Sequence, residues 1–128
     1  MEKGAEMITK IDITGIRYEV SDELKKYLTK KISKLDRFAP RQARKNISAS
    51  VNLEERKTKT DRNQCEVIIH LPDRQITAKE ATINMFAAVD IVETKLKSQL
   101  KKYKATHGGD KQDHHGVLRR LFRNQRND

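Results

Sequence analysis

Ile11 and Ile13 alternate with Asp12 and Thr14, the period-two pattern of a strand with one buried face, and Gly15 permits a bend behind it. A first strand is therefore placed at about residues 8–15. Ser21 then supplies an N-cap oxygen, and Asp22 and Glu23 put carboxylates at the positive end of a helix dipole, so a helix starts there. Projected at about 100° per residue, Leu24, Tyr27, Leu28, Ile32, Leu35 and Phe38 share one face until Pro40 ends the pattern.

Two further runs alternate. Ile47, Ala49, Val51 and Leu53 are separated by Ser48, Ser50 and Asn52; Cys65, Val67, Ile69 and Leu71 are separated by Glu66, Ile68 and His70. Between them residues 54–62 are polar and hold Arg56, Lys57, Lys59 and Arg62, which suits an exposed hairpin connection with a mobile tip. Pro72, Asp73 and Arg74 mark a tight turn into a short fourth strand around Ile76 and Ala78. From Thr82 the period becomes helical, with Met85, Ala88, Val89, Val92, Leu96, Leu100 and Tyr103 on one face.

The order β-α-β-β-β-α predicts an α+β fold with a four-stranded sheet. Strands two to four form an antiparallel meander, and the first crossover is right-handed if strands one and two are parallel neighbours. Both helices need an apolar partner, and one sheet face is the only surface large enough, so they lie side by side upon it. This assigns residues 1–105 to one α/β domain. Gly108 and Gly109 open a polar segment that gives way to Val117, Leu118, Leu121 and Phe122 interleaved with Arg119, Arg120, Arg123 and Arg126, so residues 106–128 are expected to form a flexible basic tail.

Charge changes the picture. The chain has 28 Lys plus Arg against 18 Asp plus Glu, a formal net charge of +10, which draws it to polyanions. The excess is segregated: residues 1–20 and 61–80 each sum to −1, whereas residues 21–38 and 81–105 each carry +3. On the first helix Lys26, Lys30, Lys34 and Arg37 follow i, i+4, i+8, i+11 and stack along one flank. On the second, Lys95 and Lys102 lie on one flank and Lys97, Lys101 and Lys104 on the other. Lysines near a helix C-terminus also suit its dipole, but that explains one or two of them rather than five in ten residues. Aligned like charges repel by roughly 0.2–0.5 kcal/mol per pair, and a polyanion lying along them reverses the sign. Lysine is a flexible point charge suited to phosphate, and few aromatics remain to stack on bases, Tyr18 being the main one. The expected target is folded RNA recognised by shape and backbone.

Other chemistries find little support. There is no Gly-rich phosphate loop, HExxH helix, paired-cysteine spacing or nucleophile elbow, so neither enzymatic activity, a cofactor nor a small-molecule substrate is expected. His107, His114 and His115 lack a positioned carboxylate partner for a metal. His70 reads as an exposed or hydrogen-bonded strand residue, and the single cysteine, Cys65, as core. The N-terminus has no signal-type apolar stretch, and the longest apolar run is Met85–Val89, so a cytoplasmic protein without a membrane partner is expected.

Four segments in collinear order carry a specific likeness: Ile11-Asp12-Ile13-Thr14-Gly15 with Glu19-Val20-Ser21; Ser33-Lys34-Leu35-Asp36; Met85-Phe86-Ala87-Ala88-Val89-Asp90; and Lys95-Leu96 with Gln99-Leu100 and Lys102. Together they resemble the ribosome hibernation-promoting factor family, also labelled sigma-54 modulation proteins, over about residues 7–104. The resemblance implies a fold similar to a double-stranded-RNA-binding domain. It also implies binding to 16S rRNA in the decoding region of the small subunit of the assembled ribosome, over the mRNA and tRNA sites. Lys25, Lys31, Lys34, Lys95 and Lys102 match the family's basic positions most directly, Arg37 less closely. Longer members carry a C-terminal domain that pairs two ribosomes; this chain is expected to lack one and to be monomeric off the ribosome. Its basic tail departs from the acidic tail of the inhibitor type, which leaves open whether it promotes or blocks ribosome pairing. Two alternatives stand beside this reading, a general double-stranded-RNA-binding or RNA-chaperone module and a regulator that binds protein through the exposed sheet face.

Overall fold

A computed structural model of the chain describes Ile8 and residues 10–107. Strand β1 (Lys10–Ile16) leads into helix α1 (Asp22–Ser33). Strands β2 (Ser48–Glu55), β3 (Asn63–His70) and β4 (Gln75–Thr82) follow, then helix α2 (Met85–His107). The sheet order is β1-β2-β3-β4, with β1 parallel to β2 and the remaining pairs antiparallel. The predicted α+β architecture and element order are therefore present. Of the predicted tail, residues 106–128, Thr106 and His107 belong to α2 instead, and the rest, with His114 and His115, lies outside the described residues.

The pleat sorts the side chains. Ala49, Val51 and Leu53 of β2, Cys65, Val67 and Ile69 of β3, and Ile76 and Ala78 of β4 are buried on one face. Onto them α1 brings Leu24, Leu28 and Ile32, and α2 brings Met85, Ala88, Val89, Val92, Leu96, Leu100 and Tyr103. Each fully buried Leu, Ile or Val contributes roughly 1.5–3 kcal/mol, so this contiguous core holds both helices to the sheet. The opposite face is polar and internally bonded. Asn52 Nδ2 donates to Glu66 Oε1 at 3.3 Å, and His70 lies between Ser50 Oγ at 3.0 Å and Gln75 Nε2 at 3.2 Å.

Helix α1 starts as its sequence dictates, with Ser21 Oγ accepting from the Leu24 amide at 3.1 Å. It ends earlier than the apolar pattern predicts. After Ser33 the chain tightens into a 3-10 turn, Lys34–Phe38, in which Leu35 and Asp36 are buried. Pro40 cannot donate and pushes Ala39 to extended backbone, so the last carbonyls need closer partners. Ala39 N–H donates to Asp36 at 2.9 Å, and the Arg44 side chain donates to the Ala39 and Arg37 carbonyls, each at 3.3 Å. A second 3-10 segment, Arg41–Asn46, seats Ala43 in the core. The sequence pattern does not predict it, because a single apolar residue carries no period.

Strand β4 is longer than predicted, and α2 starts later than Thr82. The cause is Asn84, whose Oδ1 accepts from the Phe86 amide at 2.8 Å and the Ala87 amide at 3.3 Å, while Thr82 Oγ1 takes the Asn84 amide at 3.1 Å. After β1 the backbone turns sharply: a Cβ on Gly15 would collide with the Tyr18 carbonyl oxygen. Arg17 takes φ 52°, the only positive φ on a non-glycine residue among the described residues, at a cost of roughly 1–2 kcal/mol.

Candidate nucleic-acid interface

The seam between α1 and α2 has two unlike halves. In the half nearer the N-terminal end of α2, Tyr27 meets Phe86 edge-to-face with centroids 5.1 Å apart, and its hydroxyl donates to Asp90 Oδ1 at 2.5 Å. Lys31 Nζ lies 3.6 Å from Asp90, 3.9 Å from Glu93 and 5.4 Å from the Tyr27 ring centroid. The Tyr27 pKa is raised, first by the hydrogen bond to Asp90 and then by burial. Desolvation pulls the Lys31 pKa down, but the Glu93, Tyr27 and Asp90 charges together outweigh it and leave it raised. This half ties the helices together.

In the other half, α2 packs against the 3-10 turn, and Phe38 becomes a hub. Lys97 and Lys101 each place Nζ 5.4 Å from its ring centroid, and the Arg37 guanidinium lies at 5.9 Å. Lys30 and Lys34 line a concavity with Tyr27, Lys31 and Glu93 that opens onto the same seam. Lys104 continues the Lys97–Lys101 flank one turn on. None of Lys30, Lys34, Arg37, Lys97, Lys101 and Lys104 makes an ion pair among the described residues. Cation–π contact offers about 0.5–1 kcal/mol at an exposed site, which positions the ammonium groups without neutralising them. The result is three uncompensated cations, Arg37, Lys97 and Lys101, around one aromatic ring, with Lys30 and Lys34 in the adjoining concavity.

The remaining predicted positions lie apart from that cluster. Lys25 and Lys26 sit on the outer flank of α1 beside Asp22 and Thr29. Lys95 turns toward β4, donating to Glu80 Oε1 at 2.7 Å and to the Lys79 carbonyl at 3.2 Å. Lys102 lines a concavity with Arg74, Gln99 and Tyr103 on the same side. The expectation of one continuous basic surface is corrected accordingly. Lys31 and Lys95 are engaged by the chain's own carboxylates, because each faces an element that carries acidic residues, and the flank of α2 bearing Lys95 and Lys102 faces away from α1. Tyr18, expected to be free for stacking, is half-buried against the core, and burial raises its pKa ahead of the effect of Glu55. Cys65 is the expected core residue, its thiol pushed up to about 12 by burial.

The organising role of Phe38 is the feature that sequence reasoning missed. The helical projection places it among core residues, and only the packing of α2 on the 3-10 turn brings Lys97 and Lys101 to it. No group of His, Cys, Asp and Glu able to hold a metal ion occurs among the described residues. No helix among them is long and apolar enough to cross a membrane.

Among known proteins, the chain is 34% identical over 97 residues to the ribosome hibernation promotion factor of Lactococcus lactis, covering 74% of this chain and 49% of that one. It is 30% identical over 94 residues to the ribosome hibernation promoting factor of Azotobacter vinelandii, covering 73% of this chain and 81% of that one. The chain thus spans about half the length of relatives such as those from Lactococcus lactis and Deinococcus radiodurans. Among solved structures it superposes on a ribosomal subunit interface protein from Coxiella burnetii with a TM-score of 0.62 at 30% identity, covering 76% of this chain and 99% of that one. The Protein Y N-terminal domain of Thermus thermophilus gives 0.62 at 26% identity, covering 75% and 97%. The family described as Sigma 54 modulation protein / S30EA ribosomal protein matches residues 11–107, the whole of the two-helix sheet domain apart from its first residues, and the chain belongs to that family.

Proposed function

We propose that this chain is a ribosome hibernation factor that acts by binding alone. It docks its helical face on 16S rRNA in the decoding region of the small ribosomal subunit and excludes mRNA and tRNA from their sites. No bond is made or broken; repression follows from occupancy. The observation that carries the reading is the set of unpaired cations Arg37, Lys97 and Lys101 gathered around Phe38, with Lys34 in the adjoining concavity of the seam, in a member of this family. The names of the relatives, ribosome hibernation factors and a subunit interface protein, support the ribosome as target. Phosphate contacts of this kind make affinity fall steeply with salt.

The test is a sucrose-gradient profile of ribosomes with added protein, followed by competition on purified small subunits. The expected result is co-migration with small subunits and assembled ribosomes, together with displacement of bound mRNA and initiator tRNA. Equal affinity for small subunits and for an arbitrary RNA duplex would favour a general double-stranded-RNA-binding module instead. Capture that survives nuclease and lacks ribosomal components would favour a protein-binding regulator.

A further inference from the structure

The helix seam is not the only basic site. At the far end of the sheet, Arg17, Glu55, Arg56, Lys57, Thr58 and Arg62 line one open pocket. It is formed where β1 ends against the β2–β3 hairpin, and it sets Arg56, Lys57 and Arg62, together with an Arg17 that also pairs with Glu54, against Glu55. The strand registers fix its distance from the seam cluster. Glu55↔Asn63 and Asn63↔Thr82 mark the hairpin end, whereas His70↔Gln75 and Lys10↔Ser48 mark the other. That other end is where α1 finishes, with the Ile8 amide donating to the Ser33 carbonyl at 3.1 Å. Strands of eight residues separate the two ends by about 25 Å.

Two features show that the pocket is held rather than accidental. Arg17 is the residue with positive φ, a conformation that glycine or asparagine would adopt at less cost, yet an arginine stands there. Its guanidinium reaches Glu54 Oε2 at 2.8 Å and its side chain remains 62% exposed. The hairpin closes through the Arg56 amide, which donates to the Arg62 carbonyl at 2.7 Å, and Arg56 Nη1 donates to the Asp61 carbonyl at 3.3 Å. These bonds hold the Arg56 side chain and the Arg62 backbone at the pocket that Arg17 also lines. Backbone strain that persists in a fold marks functional segments often enough to justify asking what it positions.

We propose that this hairpin pole is a second phosphate-binding site, and that it takes the sugar-phosphate backbone of an RNA segment distinct from the one at the helix seam. The inference rests on the ribosome-binding reading for the identity of the RNA. The chemistry differs from that of the seam. Three of the four cations here are arginines, whose planar guanidinium forks bind phosphate oxygens in pairs and so fix orientation, whereas the seam offers mainly lysine point charges. The Thr58 hydroxyl adds a neutral donor. Tyr18, the nearest aromatic in sequence to Arg17, is half-buried, which leaves backbone rather than base as the group recognised. A rigid body with cationic sites about 25 Å apart clamps two segments of a folded RNA, and the second contact is favoured once the first is made.

The test uses the full chain and purified small ribosomal subunits over a salt series. The variant R56A/K57A/R62A removes exposed charges outside the core, and Arg17→Gly removes the fourth while keeping the turn. The expected result for the triple variant is at least a tenfold weaker affinity at about 100 mM salt, with the slope of log K against log salt reduced by about 2 to 3 and the thermal midpoint unchanged. Arg17→Gly, which also leaves Glu54 unpaired at the pocket, is expected to weaken binding less than the triple variant does, without lowering the thermal midpoint. Unchanged affinity and slope in both variants would overturn the proposal and leave the seam reading intact. If the parent chain fails to bind small subunits but binds a 20-base-pair RNA duplex, and the triple variant weakens that binding with a lower slope, the ribosome reading fails and the second RNA site stands. Loss of binding to polyglutamate without loss of binding to either RNA would overturn the assignment to nucleic acid.

Discussion

Lys31 and Lys97 belong to the same seam between the same two helices, yet their surroundings are opposite. Lys31 stands between Asp90 and Glu93 over Tyr27; Lys97 stands with Lys101 and Arg37 over Phe38 and no carboxylate pairs with it among the described residues. One half of the seam uses its cation to hold the helices together, and the other leaves its cations uncompensated at the surface. The lesson is that helical spacing and residue type place a lysine on a helix, but the residue it faces across the fold decides whether its charge is available to a ligand.

Reversing the charge of the uncompensated half has the largest expected effect. The variant K34E/K97E/K101E is expected to lose about 100-fold or more in affinity for small subunits in a co-sedimentation assay at about 100 mM salt. Its thermal midpoint should stay within a few degrees, because none of the three side chains is buried. Retained binding would mean that phosphate is held elsewhere.

Alkaline pH tests the holding half, once Cys65 is accounted for. Its thiol shifts from 9.0 to about 12 on folding, so the native state favours the protonated form. The contribution is present below pH 9 and declines as pH rises toward the folded value. Between pH 8 and pH 10.5 this amounts to about 2 kcal/mol, measured as a drop in denaturant stability that Cys65→Ala lacks. In that background the alkaline loss that remains reports the seam together with Tyr18 and Tyr103, whose values burial also raises. Tyr27 and Lys31 both have raised values, so their stabilisation is present below about pH 10 and is lost above it. Adding Tyr27→Phe should flatten that residual slope.

A smaller effect of opposite sign sharpens the contrast. The variant D90N/E93Q removes two anions from the seam and releases Lys31. We expect affinity for small subunits to rise by about threefold while stability falls by about 1 kcal/mol. The smallest effect belongs to Lys95→Gln, which replaces a partly exposed pair with Glu80. Both affinity, in the same co-sedimentation assay, and denaturant stability should change by less than about 0.5 kcal/mol, although the sequence pattern and the family resemblance both select this lysine.

Much of this fold is legible in the chain. Alternation from Ile47 to Leu53 and from Cys65 to Leu71, and the helical period from Met85 to Tyr103, follow directly from pleat and helix geometry. The Ser21 cap is equally plain, since it bonds within three residues of itself. What is not legible depends on contacts distant along the chain. Pro40 signals that α1 must stop, but not that its last turn tightens from Lys34 and carries Phe38 beneath α2. Lys95 and Lys97 are two residues apart on one helix; one meets Glu80 of β4 and the other meets Phe38. Nothing local separates them. The Arg41–Asn46 segment is stabilised by a backbone bond to Pro40 and by seating Ala43, and neither leaves a periodic trace.

The proposed mode of binding stands on Lys34, Lys97 and Lys101 being neutralised by rRNA phosphates. Its most direct test is the dissociation constant for purified small subunits measured across about 50 to 200 mM salt, for the parent chain and for K34Q/K97Q/K101Q. Three phosphate contacts correspond to a slope of log K against log salt that is shallower by about 2 to 3 in the variant. Superimposable lines for the two proteins would contradict the account.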